Sequence, residues 1–435
     1  MSDTVIVIGA GLAGSEAAWQ LARRGFHVRL YEMKPSCFSP AHTQSGFAEL
    51  VCSNSLKAEY LSNASGLLKA EMRLLNSLIL TAADAARLPA GGALAVDRDV
   101  FSAYITEALT SHPNVTVCRE RVDEIPSGPV IIATGPLTHE KLSESIQKLP
   151  GFGALHFFDA EAPIVTADSL DMSRIFAASR YERGSDDYLN CPMTEEQYNA
   201  FYEALVSAET AEVHEFDKKQ IFEGCIAVEI LASRGRQTLA FGPLKPVGLI
   251  DPNTGKMPYA VVQLRRDNLS GSLYNLVGFQ TRLKFGEQKR VFGLIPGLEH
   301  AEFARYGVMH RNTYLNSPDV LGENYSVKGN PFMRFAGQMT GVEGYMESAA
   351  SGLTAAIGLS QVLSGKPEPD FGQLTLLGAL SRYVSTPSND FQPMNANFGL
   401  LPPLEKKNRN KKERYEQVSA RSLESLKSII ETQLN

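Results

Sequence analysis

An α/β fold is predicted: a Rossmann-type dinucleotide-binding domain, discontinuous in the chain, with an α+β domain inserted into it. Three observations predict it. A β-branched run, Val5 to Ile8, leads through Gly9-Ala10-Gly11-Leu12-Ala13-Gly14 into the helix formers Ser15 to Ala22. A second apolar strand, His27 to Tyr31, ends at Glu32, 23 positions after Gly9. Two segments far along the chain, Val130 to Gly135 and Phe335 to Leu363, read as a strand ending in a small-residue turn and a glycine-rich turn leading into an alanine-rich helix.

Each element has a physical reason. In a strand–turn–helix unit the first glycine permits the tight turn and the second lets backbone approach a pyrophosphate. The third lets helix and strand pack closely, while the helix N-terminus supplies N–H donors. Glu32 stands where a carboxylate accepts from a ribose hydroxyl, and an acid there suits FAD or NAD better than the 2'-phosphate of NADP. Gly135 closes the third strand. The last piece, with Gly341, Glu343 and Gly344 before a helix from about Met346 to Leu363, returns to the cofactor from a distance. That is the pattern of a flavoprotein, so the predicted domain is FAD-binding, Rossmann-type and glutathione-reductase-like. Its helix N-terminus would direct partial positive charge at the flavin.

If those pieces share one sheet, the intervening chain is an insertion. The boundaries read as residues 1–155 plus 325–435 for the FAD-binding domain and 156–324 for the inserted one, with a helix at Glu195 to Ala208 and a strand at Tyr259 to Leu264. After Phe398 a charged stretch, Glu405 to Arg414, carries six basic residues and two acids before a helix with Val418, Leu423, Leu426 and Ile430 on one apolar face. It reads as a surface helix docked on the domain.

With 435 residues, 43% hydrophobic and 21% charged, the chain has the composition of an ordered enzyme. Its longest apolar run, Val5 to Gly14, is far too short to span a bilayer, and no signal peptide is evident, so a cytoplasmic protein without membrane contact is expected. Five cysteines (Cys37, Cys52, Cys118, Cys191, Cys225) without CxxC or Cys/His spacing predict free thiols and no metal site. A net charge of −6 leaves nucleic acid open, because binding depends on where cations cluster. The clearest cluster is Gln263 to Gly293, where Arg282, Lys284, Lys289 and Arg290 accompany Arg265 and Arg266, interleaved with Tyr274, Phe279, Phe285 and Phe292. Such a segment can neutralise phosphates and stack bases, or equally form amphipathic strands with solvated cations. No second GxGxxG follows a strand, so a nicotinamide cofactor is expected to bind only transiently.

Taken together, Gly9 to Ala17, Phe47-Ala48-Glu49-Leu50-Val51-Cys52-Ser53-Asn54-Ser55, Leu88-Pro89-Ala90-Gly91-Gly92-Ala93-Leu94, Phe222-Glu223-Gly224-Cys225 and Gly341-Val342-Glu343-Gly344-Tyr345-Met346-Glu347-Ser348 resemble the TrmFO family. These are folate- and FAD-dependent tRNA (uracil-5-)-methyltransferases, the small form of the GidA-like flavoproteins. The resemblance implies transfer of a one-carbon unit from 5,10-methylenetetrahydrofolate to C5 of a T-loop uridine in tRNA, with FAD as cofactor and NAD(P)H as reductant. The family's two functional cysteines fall on Cys52 and Cys225. Cys225 is assigned as nucleophile at uracil C6 and Cys52 as its partner near the flavin, a proton acceptor. No obligate protein partner is indicated. The same chemistry on ribosomal RNA, or a small-molecule flavin oxidoreductase, stands as the alternative.

Overall fold

The computed structural model describes residues 4–434 apart from 153, 161, 183–185, 212–225, 308, 389–390 and 407. Its first sheet has six strands in the order Ser326–Val327, Asn330–Phe335, Val130–Ile132, Thr4–Ile8, His27–Tyr31 and Val115–Cys118. All neighbours are parallel except the edge pair formed by the first two. Strands nearly 330 positions apart in the chain therefore lie in one sheet, as the α/β prediction requires. Parallel strands buried on both faces need continuous apolar runs, and Val5, Val7, Val28, Leu30, Ile131 and Phe335 are all buried.

The helix Leu12–Ala22 follows the first strand and packs along the helix Tyr345–Leu363. Glycine makes this contact possible: a Cβ on Gly352 would lie 2.1 Å from the Ala13 carbonyl oxygen. The C-terminal helix Lys411–Ile429 docks on the same core, burying Val418 and Leu426, and Ser422 donates to the buried Glu71. No helix among the described residues is long and apolar enough to cross a membrane.

A second six-stranded sheet, antiparallel throughout, runs Phe176–Ala177, Tyr188–Met193, Ala260–Arg266, Leu273–Leu276, Ile164–Thr166, Phe303–Arg305. It has its own core, with Phe201, Val262, Phe279 and Phe292 fully buried. Cys191 lies in that core, where burial pushes its thiol far up and leaves it inert. An antiparallel ribbon, Ala154–Ala160 with Met309–Leu315, carries the chain into and out of this sheet. A small three-stranded sheet has the order Ser55–Ala58, Ala93–Val96, Arg87–Leu88.

One buried charge fastens the edge of the parallel sheet. Arg334 is fully buried and pairs with Glu368 at 2.8 Å while donating to the Asn324 carbonyl at 2.8 Å. Removing one partner strands the other, although Glu368 is partly exposed and can rehydrate. Arg334→Met is expected to lower stability by about 2–3 kcal/mol. An unchanged urea midpoint would show that the pair contributes nothing.

Candidate active site

The strand Thr4–Ile8 delivers the chain into a turn whose glycines do different things. Gly9 has φ +94°, and a Cβ there would lie 2.7 Å from the Ala133 carbonyl oxygen. Gly14 lies against the turn itself: a Cβ would sit 1.7 Å from the Gly9 carbonyl oxygen. Gly11 is different, because a Cβ there meets nothing within 4 Å. Its open side faces a cleft also lined by Gly9, Leu12, Ala13, Glu32, Gly135, Gly337, Gln338, Tyr345, Ser348 and Cys52. The free N–H groups of the helix starting at Leu12 stand at this open side.

Glu32 is buried and already employed. Its carboxylate accepts from the Ala10 N–H at 2.9 Å and the Lys34 N–H at 3.0 Å, which locks the turn to the end of the second strand. A carboxylate has about four lone-pair sites, so two remain to accept from a ribose. The residues therefore fit FAD: an unfilled space above Gly11, helix N–H donors and a buried acid.

The distant segment contributes in part through residues other than those expected. Gly135, with φ +71°, lines the cleft. Gly341 and Gly344 do not; a Cβ on the former would strike Phe391 at 2.4 Å and on the latter Glu347 at 2.3 Å. Glu343 is buried outside the lining and accepts from Gln338 at 2.7 Å. It is Gln338 that reaches the cleft, together with Gly337, Tyr345 and Ser348.

Cys52 lies on the cleft wall, in a loop that four distant side chains hold by its polar atoms. Arg98 donates to the carbonyls of Leu50 and Val51 at 2.6 and 3.0 Å, and Arg305 donates to Val51 at 2.9 Å. Arg265 donates to the side chains of Asn54 and Ser53 at 2.9 and 2.8 Å. The Tyr345 hydroxyl accepts from the N–H groups of Cys52 and Ser53 at 2.9 and 3.2 Å and lies 3.0 Å from Cys52 Sγ. Burial pushes the Tyr345 phenol well above its ordinary range, with Cys52 adding to the effect. Arg265 and Arg305 belong to the antiparallel sheet, so that sheet sets the position of a thiol in the nucleotide cleft. Sequence spacing did not mark Arg98 or Arg305, and it marked Arg265 only as one cation of the basic segment; Tyr345 lies inside the Gly341 to Ser348 motif, where no role was expected of it.

Cys225 lies outside the described residues, with Phe222, Glu223 and Gly224. The chain on either side is tied to one place: Ala211 donates to Arg282 O at 2.8 Å and Val228 to Gln280 O at 2.7 Å. The cations expected to meet RNA are largely matched by acids. Lys284 pairs with Glu209 at 2.7 Å, Arg282 lies 3.6 Å from Glu229, and Arg290 donates to Glu287 at 3.0 Å. Lys289 is exposed. Of the interleaved aromatics, Phe279 and Phe292 are core residues and Tyr274 is nearly so, while Phe285 is 55% exposed and stacks on Tyr306 at 4.7 Å.

Comparison with known proteins bears on the family and the fold. The family model described as "Glucose inhibited division protein A" matches residues 4–367. A Bacillus licheniformis protein named methylenetetrahydrofolate--tRNA-(uracil-5-)-methyltransferase TrmFO is 59% identical over 433 residues, covering 99% of this chain and 100% of its own. A Staphylococcus carnosus protein of the same name is 58% identical over 435 residues, with 99% and 100% covered. Among solved structures, Aquifex aeolicus GidA superposes with TM-scores of 0.69 and 0.68 in two crystal forms, at 17% and 15% identity. Each covers 98% of this chain and 78% or 75% of that one. At that identity the likeness speaks for the fold.

Proposed function

The chain belongs to the glucose inhibited division protein A family, in its TrmFO branch, and on that premise we propose that it methylates C5 of a T-loop uridine in tRNA, taking the carbon from 5,10-methylenetetrahydrofolate. The observation that carries this reading is a cysteine held in a dinucleotide cleft, Cys52 beside Tyr345 and lining the same cleft as Gly11. A flavin oxidoreductase acting on small molecules leaves the full-length likeness to proteins named as methyltransferases without a reason.

The residues divide the work. Gly9, Gly11 and the N-terminus of the helix from Leu12 would hold the pyrophosphate, and Glu32 the adenosine ribose. Gly135, Gly337, Gln338 and Ser348 would line the rest of the cofactor's path. FAD, when bound, supplies the reducing equivalents that convert the transferred carbon into a methyl group, and NAD(P)H is the reductant in this reading. Uracil C5 becomes nucleophilic only after a nucleophile adds at C6, and a soft thiolate suits that step because it both adds and leaves readily. Cys225 takes this role by resemblance. Cys52 Sγ accepts the C5 proton, which returns the bond electrons to the ring and allows the C6 thiolate to leave.

The target base must leave its stack to enter such a cleft. We assign the phosphate contacts to the face bearing Arg282, Lys284, Lys289 and Arg290, and the reaction to the cytoplasm. Lys284→Glu with Lys289→Glu is expected to weaken tRNA binding several-fold and to reduce the salt slope by about one to two. A filter-binding titration with an unchanged slope would return that face to a structural role.

The test of the function is direct. Purified protein, methylenetetrahydrofolate, NADPH and an unmodified tRNA transcript are incubated, and the nucleosides are analysed for 5-methyluridine. Its appearance, dependent on the folate, supports the reading. A transcript left unmethylated by yellow, NADPH-reducible protein overturns the tRNA assignment.

A further inference from the structure

We propose that Tyr345 is a positioning residue that keeps Cys52 in its thiolate form by donating its hydroxyl proton to Sγ. The argument is one of valence. A phenol oxygen offers one O–H and two acceptor lone pairs. Both lone pairs of Tyr345 are engaged, by the N–H groups of Cys52 at 2.9 Å and Ser53 at 3.2 Å. The third neighbour is Cys52 Sγ at 3.0 Å, and the hydroxyl hydrogen is the only group left to face it. An S–H pointing the other way would need an acceptor site that the oxygen no longer has. Sulfur is therefore the acceptor, and a hydrogen bond accepted by the charged form stabilises that form.

The surroundings support the same direction. Tyr345 is partly buried on the cleft wall, packed against the main core, and the desolvation of its hydroxyl keeps the phenol protonated through the range in which a thiol titrates. The guanidinium groups of Arg98 and Arg305 grip the carbonyls immediately before Cys52, and Arg265 grips the side chains immediately after it. The other titratable groups lining the cleft are Tyr31, Glu32, Lys34, His42, Glu49, Glu120, Arg121 and His139, with the Glu49 carboxylate paired to Lys34 at 3.3 Å. The two N–H groups that fix the hydroxyl belong to the Cys52 loop itself, so loop position and proton direction are set together. A base that has taken one proton from uracil C5 must release it before the next cycle. The Tyr345 bond favours that release, because the thiolate regains a donor when the proton leaves.

The proposal rests on reading Cys52 as proton acceptor, but its test needs neither folate nor RNA. Full-length, FAD-loaded protein is alkylated with iodoacetamide over a range of pH, and the Cys52 peptide is quantified by mass spectrometry. In Tyr345→Phe the inflection for Cys52 is expected to rise by roughly one to two pH units, the value of a hydrogen bond to a charged group. The methyl-transfer rate should recover in parallel as pH is raised. An inflection equal to that of the parent overturns the proposal. If Tyr345→Phe loses flavin or fails to fold, a fluorinated tyrosine at 345 decides instead. It is a stronger donor of nearly the same shape, so the Cys52 inflection should fall, and an inflection that stays or rises overturns the assignment. A merely structural tyrosine would not move the two variants in opposite directions. A failed methylation assay with shifted inflections would leave the thiolate assignment intact and count against the function alone.

Discussion

Cys52→Ala is expected to reduce 5-methyluridine formation by about 10²–10⁴-fold, the range typical of a lost general base, while the protein stays folded and yellow. The fold is spared because the loop does not depend on sulfur. Arg98, Arg305 and Arg265 bind its carbonyls and the side chains of Ser53 and Asn54, and the Tyr345 hydroxyl still accepts from the N–H groups at 52 and 53. The thiol is only partly buried, so its removal leaves a void that water can fill. Chemical stability should therefore change by less than about 1 kcal/mol. The paired measurement is nucleoside analysis of the tRNA product beside the flavin absorbance of the same preparation. Methyl transfer within tenfold of the parent would remove Cys52 from the chemistry, and colourless protein would show that the thiol supports flavin binding instead.

The second large effect separates two glycines that the fingerprint treats alike. In Gly14→Ala the new Cβ meets the Gly9 carbonyl oxygen at 1.7 Å, a clash of the helix with the backbone of the turn that no rotamer can relieve. The helix must move off the sheet. Overpacking of this kind costs roughly 3 kcal/mol or more, and the cradle is distorted with it, so both thermal stability and flavin should be lost. Gly11→Val places its side chain where nothing lies within 4 Å, on extended backbone (φ −71°) that valine readily adopts. Unfolding of the flavin-free protein should stay within about 0.5 kcal/mol of the parent. The protein should nonetheless be colourless, because the side chain fills the space that backbone must leave open for a pyrophosphate. Equal stability losses in both variants would falsify this division. A yellow Gly11→Val protein would move the pyrophosphate elsewhere.

These contrasts mark how far the amino-acid order alone reaches. The strand, turn and helix from Thr4 to Ala22 and the strand ending before Glu32 are consecutive stretches. Their β-branched runs, glycines and helix formers act through local backbone geometry, and local geometry is what periodicity and spacing report. The α/β class, the nucleotide cradle and the docked C-terminal helix were legible for that reason. The basic segment was legible only as composition. Its order does not reveal that Arg265 is buried against Asn54, or that Arg98 reaches Asp267 at 3.2 Å, because those partners lie more than 160 positions away. The same holds at the site. Gly341 and Glu343 share a motif with Tyr345, yet they pack against Phe391 and Gln338, while Tyr345 alone turns to Cys52. By itself, the sequence determined the α/β class and the strand, turn and helix that now line the cleft. Only the tertiary structure decided which side chains hold Cys52, since that depends on hydrogen bonds between residues that folding alone brings into reach of one another.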